Sequence, residues 1–170
     1  MTLKPILAAA ALAAGLAAAA ARADTDTLAK AGGWEAFGGT TNEGRLVCGI
    51  STSPPKRYFG LKQFAGNDYF TIQIGDQAWT ITDKSKYGVS MRFDSNPVWT
   101  ASATGMHFND GDPGIELTVR RESLAKFNRE FGSSRTMRLQ YTNGMDDWSV
   151  DLAAVRSVSG KFRECNAKLK

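Results

Sequence analysis

Histidine and cysteine are the scarcest chemistry-bearing residues of this sequence, with one His and two Cys in 170 residues. That scarcity excludes zinc-finger and other Cys/His-rich metal sites, c-type haem attachment and a CxxC redox motif, so no metal and no cofactor is expected. Five prolines and 17 glycines without a period exclude a fibrous chain. A hydrophobic content of 42% with a mean hydropathy of -0.29 excludes a disordered one. Charge of one sign is also in short supply: the net charge is +4, and Lys and Arg are scattered rather than clustered. A nucleic-acid-binding protein shows a basic patch or stripe instead, so nucleic acid is not an expected partner.

The one long apolar run is N-terminal. Lys4 precedes a nearly unbroken Ala/Leu stretch from Ile6 to Ala21, and Ala21-Arg22-Ala23 puts small residues where a signal peptidase reads them. The run falls short of the roughly 20 apolar residues that span a bilayer. Residues 1–23 are therefore expected to be a cleaved signal peptide, and residues 24–170 a single periplasmic or secreted domain with no integral membrane span. Losing Lys4 and Arg22 brings the net charge to about +2. In an oxidising compartment the two cysteines pair most economically with each other, as Cys48–Cys165. In the chain-entropy account a loop of that length contributes roughly 4 to 5 kcal/mol.

Short alternating runs separated by turn residues dominate from Trp34 to Leu117, the pattern of half-buried antiparallel strands. Strands are expected at 45–50, 58–64, 69–74, 78–81, around Val89, Met91 and Phe93, at 98–103, and around Ile115, Leu117 and Val119. Phe70, Ile72 and Ile74 share one face, because side chains alternate along a strand. The period then changes. Leu124, Phe127 and Phe131 recur at helical spacing, with Ser123 as the expected N-cap and Gly132 as the stop. Met137, Leu139 and Tyr141 alternate again, Asn143-Gly144 supplies a turn, and Trp148, Val150 and Leu152 form the closing strand. Val155, Phe162, Cys165 and Leu169 mark a last amphipathic helix, which Ser159-Gly160 weakens. The fold class is α+β and β-rich: an antiparallel sheet, sandwich or partial barrel with a short internal helix and a C-terminal helix packed on it.

The chemistry-bearing combinations are sparse. His107 has Asp110 and Asp112 nearby in sequence, but no GxSxG elbow accompanies it. Asn109 to Gly114 is oxygen-rich yet lacks EF-hand spacing, and it reads as a hairpin turn. Ser123-Leu124-Ala125-Lys126 matches SxxK without the further motifs of the enzymes that use it. Asp146-Asp147 reads as a polar turn, since adjacent strand residues point to opposite faces. No catalytic set emerges. Aromatic faces bind apolar ligand surfaces, and Tyr58, Tyr69 and Trp99 are the candidate ligand platform. The candidate partner loop is Pro54, Pro55, Lys56 and Arg57, within Ser51 to Arg57. A second exposed loop, Met106 to Gly114, is its counterpart.

Leu117 to Tyr141, a strand followed by a helix and a strand, and Trp148-Ser149-Val150-Asp151-Leu152-Ala153-Ala154-Val155, a closing strand leading into a helix, complete a layout of signal peptide, early Trp and Cys, and β-rich middle. This layout resembles the invasion-associated locus B family of small exported proteins of Gram-negative bacteria. The resemblance implies a periplasmic or envelope protein linked to invasion or stress, and it carries no catalytic site over to this chain. The sequence-level expectation is a non-enzymatic exported protein that binds an envelope protein or other periplasmic partner. A periplasmic hydrolase inhibitor or a small ligand-binding protein is the alternative, and the oligomeric state is not readable from the sequence.

Overall fold

The computed structural model describes residues 24–142 and 144–169. The expected signal peptide at residues 1–23 and Asn143 of the expected Asn143-Gly144 turn lie outside the described residues. The strands are β1 (Asp24–Ala31), β2 (Trp34–Thr40), β3 (Leu46–Thr52), β4 (Arg57–Phe64), β5 (Phe70–Asp76), β6 (Lys86–Phe93), β7 (Trp99–His107), β8 (Pro113–Val119), β9 (Thr136–Tyr141) and β10 (Trp148–Asp151). Helix α1 (Arg121–Ser133) lies between β8 and β9, and α2 (Val155–Asn166) follows β10. The α+β, β-rich reading is thus what the chain adopts.

All ten strands form one antiparallel sheet in the order β1-β2-β3-β4-β5-β8-β7-β6-β9-β10. The first five strands are a meander, each paired with its neighbour in sequence. The chain then jumps from β5 to β6, and β6, β7 and β8 return as a second meander that brings β8 back beside β5. That return is a Greek key. It places the β7–β8 hairpin next to the loop that leads into β4.

The sheet curls until its flanks meet through side chains. Trp34 on β2 donates its indole N–H to the carbonyl of Asp151 on β10, at 2.7 Å. The Arg57 guanidinium, at the start of β4, lies 5.6 Å from the centre of the Trp148 ring on β10. Helix α1 packs one face, Phe127, Glu130 and Phe131, against the inside of this partial barrel. Phe131 meets Trp34, Phe59 and Phe93, and Phe127 meets Phe93 and Trp99, with ring centres 5.5 to 6.3 Å apart. Alternation supplies the other half of the core: Phe59 and Leu61 on β4, Ile72 and Ile74 on β5, and Ile115 on β8 are fully buried. Burying each such side chain contributes about 1.5 to 3 kcal/mol before entropy is counted.

Helix α2 lies across the early strands, and Cys165 on it is bonded to Cys48 of β3, with the Cα atoms 5.9 Å apart. The expected pairing of an early strand with the C-terminal helix is therefore present. Beneath the helix, Val155, Val158 and Phe162 are buried.

Three local expectations need correction. No strand forms at 78–81: Asp76 Oδ1 accepts the backbone N–H of Ala78, and Trp79 N–H bonds to the Asp76 carbonyl, turning the chain. Ile81 is nonetheless buried, so its alternation with Trp79 reports packing rather than a ladder. Ser123 is not an N-cap, because α1 begins two residues before it, with Arg120 in the capping position and no side-chain cap. Gly132 does not stop that helix, which runs one residue further to Ser133. Two strands are not among those expected, β2 and β1, the latter a polar and mostly exposed edge whose Lys30 pairs with Glu35 of β2 at 2.9 Å.

Candidate functional site

On the inner face of β4, β5 and β8 the side chains are apolar; on the outer face they form a polar row. Tyr58, Gly60 and Lys62 of β4 point outward, as do Thr71, Gln73 and Gly75 of β5, and Gly114 and Glu116 of β8. Lys62 Nζ donates to Gln73 Oε1 at 2.6 Å, and Gln73 Nε2 donates to Glu116 Oε2 at 2.8 Å. Gln73 sits in register between Gly60 and Glu116, so one amide relays between the flanking charges. Burial pushes the Lys62 ammonium below the usual lysine range, and the Glu116 carboxylate opposes that shift. Burial raises the Tyr58 phenol above the usual tyrosine range, partly offset by its hydrogen bond with Ser51. Lys62, Gln73 and Glu116 are bonded in series and Tyr58 to Ser51, and such pairing is what a half-buried polar network needs in order not to destabilise the sheet.

Phe108 covers this row. Its ring packs edge-on against Tyr58, with centres 5.4 Å apart. A Cβ added at Gly75 or Gly114 would lie only 2.6 or 2.5 Å from Phe108 Cε2, so any side chain at either position would displace the ring. Two glycines facing each other across β5 and β8 are thus the seat of one aromatic lid.

Two loops rise from this floor and enclose a cleft of about 640 Å³. One wall is Pro54 to Arg57; the other is Phe108 to Pro113. The first loop is held at both ends. Arg57 N–H bonds to the Pro54 carbonyl, Arg57 Nε pairs with Asp76 Oδ2 at 2.7 Å, and Gln77 N–H bonds to the Lys56 carbonyl. Lys56 has φ +66, a left-handed conformation that costs a non-glycine residue energy, and its exposed ammonium has no ion-pair partner among the described residues. The second loop is tied to the same strand end: Gln77 Nε2 donates to Asp112 Oδ2, and Asp110 Oδ1 accepts the Asp112 N–H. The exposed Lys56 on one lip and the exposed Asp110 on the other give the cleft both signs of charge.

The structure therefore brings the two candidate loops together, along with Tyr58. Tyr69 and Trp99 lie elsewhere. Tyr69, half-buried just before β5, lines neither wall. Trp99 is on the inner face against Phe127, donates to Glu130 Oε2 at 2.6 Å, and lies under the Lys126 ammonium. The three aromatics thus occupy separate places. Cys48 and Cys165 serve as the clamp between sheet and helix, on the inner side.

The weaker sequence combinations fall apart in space or into structural roles. His107 Nδ1 faces Asp83 Oδ1 at 2.7 Å, both exposed, so its carboxylate neighbour is neither Asp110 nor Asp112. Lys126 reaches Trp99 and Glu130, and Ser123 stays in the first turn of α1. Asp147 accepts from Gln140 and faces Arg138 at 3.7 Å. Among the described residues, no three His, Cys, Asp or Glu side chains are grouped to hold a metal ion, and no helix is long and apolar enough to cross a membrane. Residues that sequence reasoning missed are Lys62, Gln73 and Glu116. Their signal was present as polar residues alternating with Phe and Ile inside strongly apolar strands.

No protein-family model, curated protein or solved structure matches this chain.

Proposed function

We propose that the protein is a non-enzymatic exported binding protein, periplasmic or envelope-associated, that engages an envelope protein through the cleft between Pro54–Arg57 and Phe108–Pro113. The observation that carries this reading is the convergence of two pinned loops over the hydrogen-bonded floor of Lys62, Gln73 and Glu116. Pre-organised walls lose little conformational freedom on binding, which favours recognition of a folded surface. The mixed charge of the lips suits a polypeptide, whose own side chains carry both signs. Catalysis is disfavoured because the cleft holds no nucleophile beside a base: Lys62 is engaged by Gln73, and Tyr58 by Ser51. The Cys48–Cys165 bond supports an oxidising compartment. Kinship with the invasion-associated locus B family, and with it an invasion- or stress-linked role, belongs to the same proposal.

A photo-crosslinking amino acid at Lys56 or Asp110 in intact cells, with mass spectrometry of the adducts, tests this reading. One dominant envelope protein captured from both lips supports it; adducts that match a control site on exposed Arg92 overturn it. A second reading is favoured by the rigid Pro54-Pro55 turn and the strained Lys56, which together resemble a plug for a hydrolase cleft. In that case the captured protein is a hydrolase, and replacing Pro54 to Arg57 by alanine relieves its inhibition.

A further inference from the structure

The floor of the two-loop cleft holds a cation that the polar row does not neutralise. Lys62 lines the cleft, half-buried on the outer face of β4. Its Nζ carries three protons, and Gln73 Oε1, at 2.6 Å, accepts one of them. Another side of the ammonium meets an aromatic face, with Nζ 5.6 Å from the centre of the Tyr58 ring. Among the described residues no carboxylate lies within ion-pair distance of it. Glu116, the acid of the row, is held by Gln73 Nε2, so an amide stands between the two charges. On the other side Lys62 is in register with Gly49 of β3, and a Cβ there would collide with the Phe37 ring of β2. The cross-strand positions on that side therefore supply no side-chain acceptor.

The acids of the cleft walls are committed elsewhere. Asp76 pairs with Arg57 at 2.7 Å and accepts the Ala78 N–H, Asp112 accepts from Gln77 Nε2 at 2.9 Å, and Asp110 accepts the Asp112 N–H. The cleft thus combines acids that already have partners with an ammonium that has donors to spare. A half-buried ammonium without a counter-ion is costly, and burial accordingly holds Lys62 below the usual lysine range. An anion brought against it from the cleft offsets that cost, and it gains more than it would at a lysine in open water, because the surroundings screen the pair less.

We infer that Lys62 is the specificity-determining residue of the cleft: it receives an aspartate or glutamate side chain from a protruding segment of the partner that enters between Pro54–Arg57 and Phe108–Pro113. The inference rests on the partner reading above and narrows it to partners that present an acid on such a segment. A volume of about 640 Å³ is that of a small-ligand pocket, which suits a few residues of chain rather than a flat surface. The carboxylate binds the free donors of Nζ while Gln73 keeps the bond it already has, so the polar row stays intact when the cleft is filled.

The test is selection of a phage-displayed library of random peptides on the mature, oxidised protein. Retained peptides that crosslink to a photo-reactive residue at Asp110 are the cleft binders, and they should share an Asp or Glu at one position. Changing that acid to its amide should weaken binding to the wild-type chain by about tenfold or more, and to Lys62→Gln by less than about twofold. Lys62→Arg, which keeps the charge, should restore the preference for the acid, and Arg92→Ala should leave it unchanged. Cleft binders without a shared acid would overturn the proposal on the wild-type chain alone, whatever the variants do to folding. An acid whose loss costs the same on wild type and on Lys62→Gln would overturn it as well, as would a library that yields no cleft binder. Capture of one envelope protein in cells together with acid-free peptides would keep the partner reading and remove the role of Lys62. Acid-selective peptides without any captured protein would do the reverse, leaving the cleft selective for carboxylates.

Discussion

The two faces of β4, β5 and β8 are made by alternate residues of the same strands, yet they are held by different physics. Inward, Phe59, Leu61, Ile72, Ile74 and Ile115 close on the aromatic stripe of α1. Outward, Lys62, Gln73 and Glu116 are linked by short hydrogen bonds beneath Phe108 and Tyr58. Every residue of β5 is buried, so the strand is covered on both sides. Apolar packing is non-directional and tolerates exchange of similar volumes, whereas a half-buried polar row stands only while each member keeps its partner. The inner face therefore explains why the protein folds. The outer face explains how two loops can be presented in fixed positions.

Truncation should separate the faces by size of effect. Phe127→Ala, at the contact between α1 and the inner face, is expected to cost about 3 to 5 kcal/mol, measured by urea unfolding. A loss below about 1 kcal/mol would mean that α1 is not the centre of the core. Replacing both cysteines by serine should cost roughly 2 to 5 kcal/mol, an effect separable from binding at the two-loop cleft because the bond lies on the inner side. On the outer face, Gln73→Leu leaves Lys62 and Glu116 without their shared partner and should cost about 1 to 3 kcal/mol. The triple change Lys62→Met, Gln73→Leu, Glu116→Met should cost less than the sum of its parts, because it removes the polar row as a unit. Strict additivity in that series would show that the row is not a network.

The smallest effect is expected at the edge of both faces. Asp94 accepts the backbone N–H groups of Arg135 and Thr136, which extends the β6–β9 ladder and holds its carboxyl below the usual aspartate range. A carboxyl whose folded pKa is depressed adds stability above its unfolded value, near 3.9, and loses it as pH falls through the folded one. The stability difference between wild type and Asp94→Asn should therefore be present at neutral pH and shrink below about pH 4. A difference that persists unchanged into acid would place the effect in backbone geometry instead, since Asp94 sits at φ +46.

The inner face was legible before the structure because its signal is local. Phe70, Ile72 and Ile74 alternate within a few residues, and Leu124, Phe127 and Phe131 repeat at helical spacing. The clamp was legible too, since only one pairing of two cysteines exists. Strand β1 escaped because an edge strand with one exposed residue after another carries no apolar alternation. Trp79 and Ile81 misled for the opposite reason, being drawn toward the core without a ladder. Each loop of the site could be named from its turn residues, but their meeting depends on β8 pairing with β5 rather than with a later strand. That return is a property of topology, with no mark in either loop.

The central claim is that the two loops act as one binding surface, and crosslinking from both lips in intact cells tests it most directly. With photo-reactive residues at Lys56 and at Asp110, the same envelope protein should be captured from each position and be lost from each when the opposite loop is altered. Different adducts from the two positions, or a pattern shared with Arg92, would contradict the account and leave the outer face as scaffold alone.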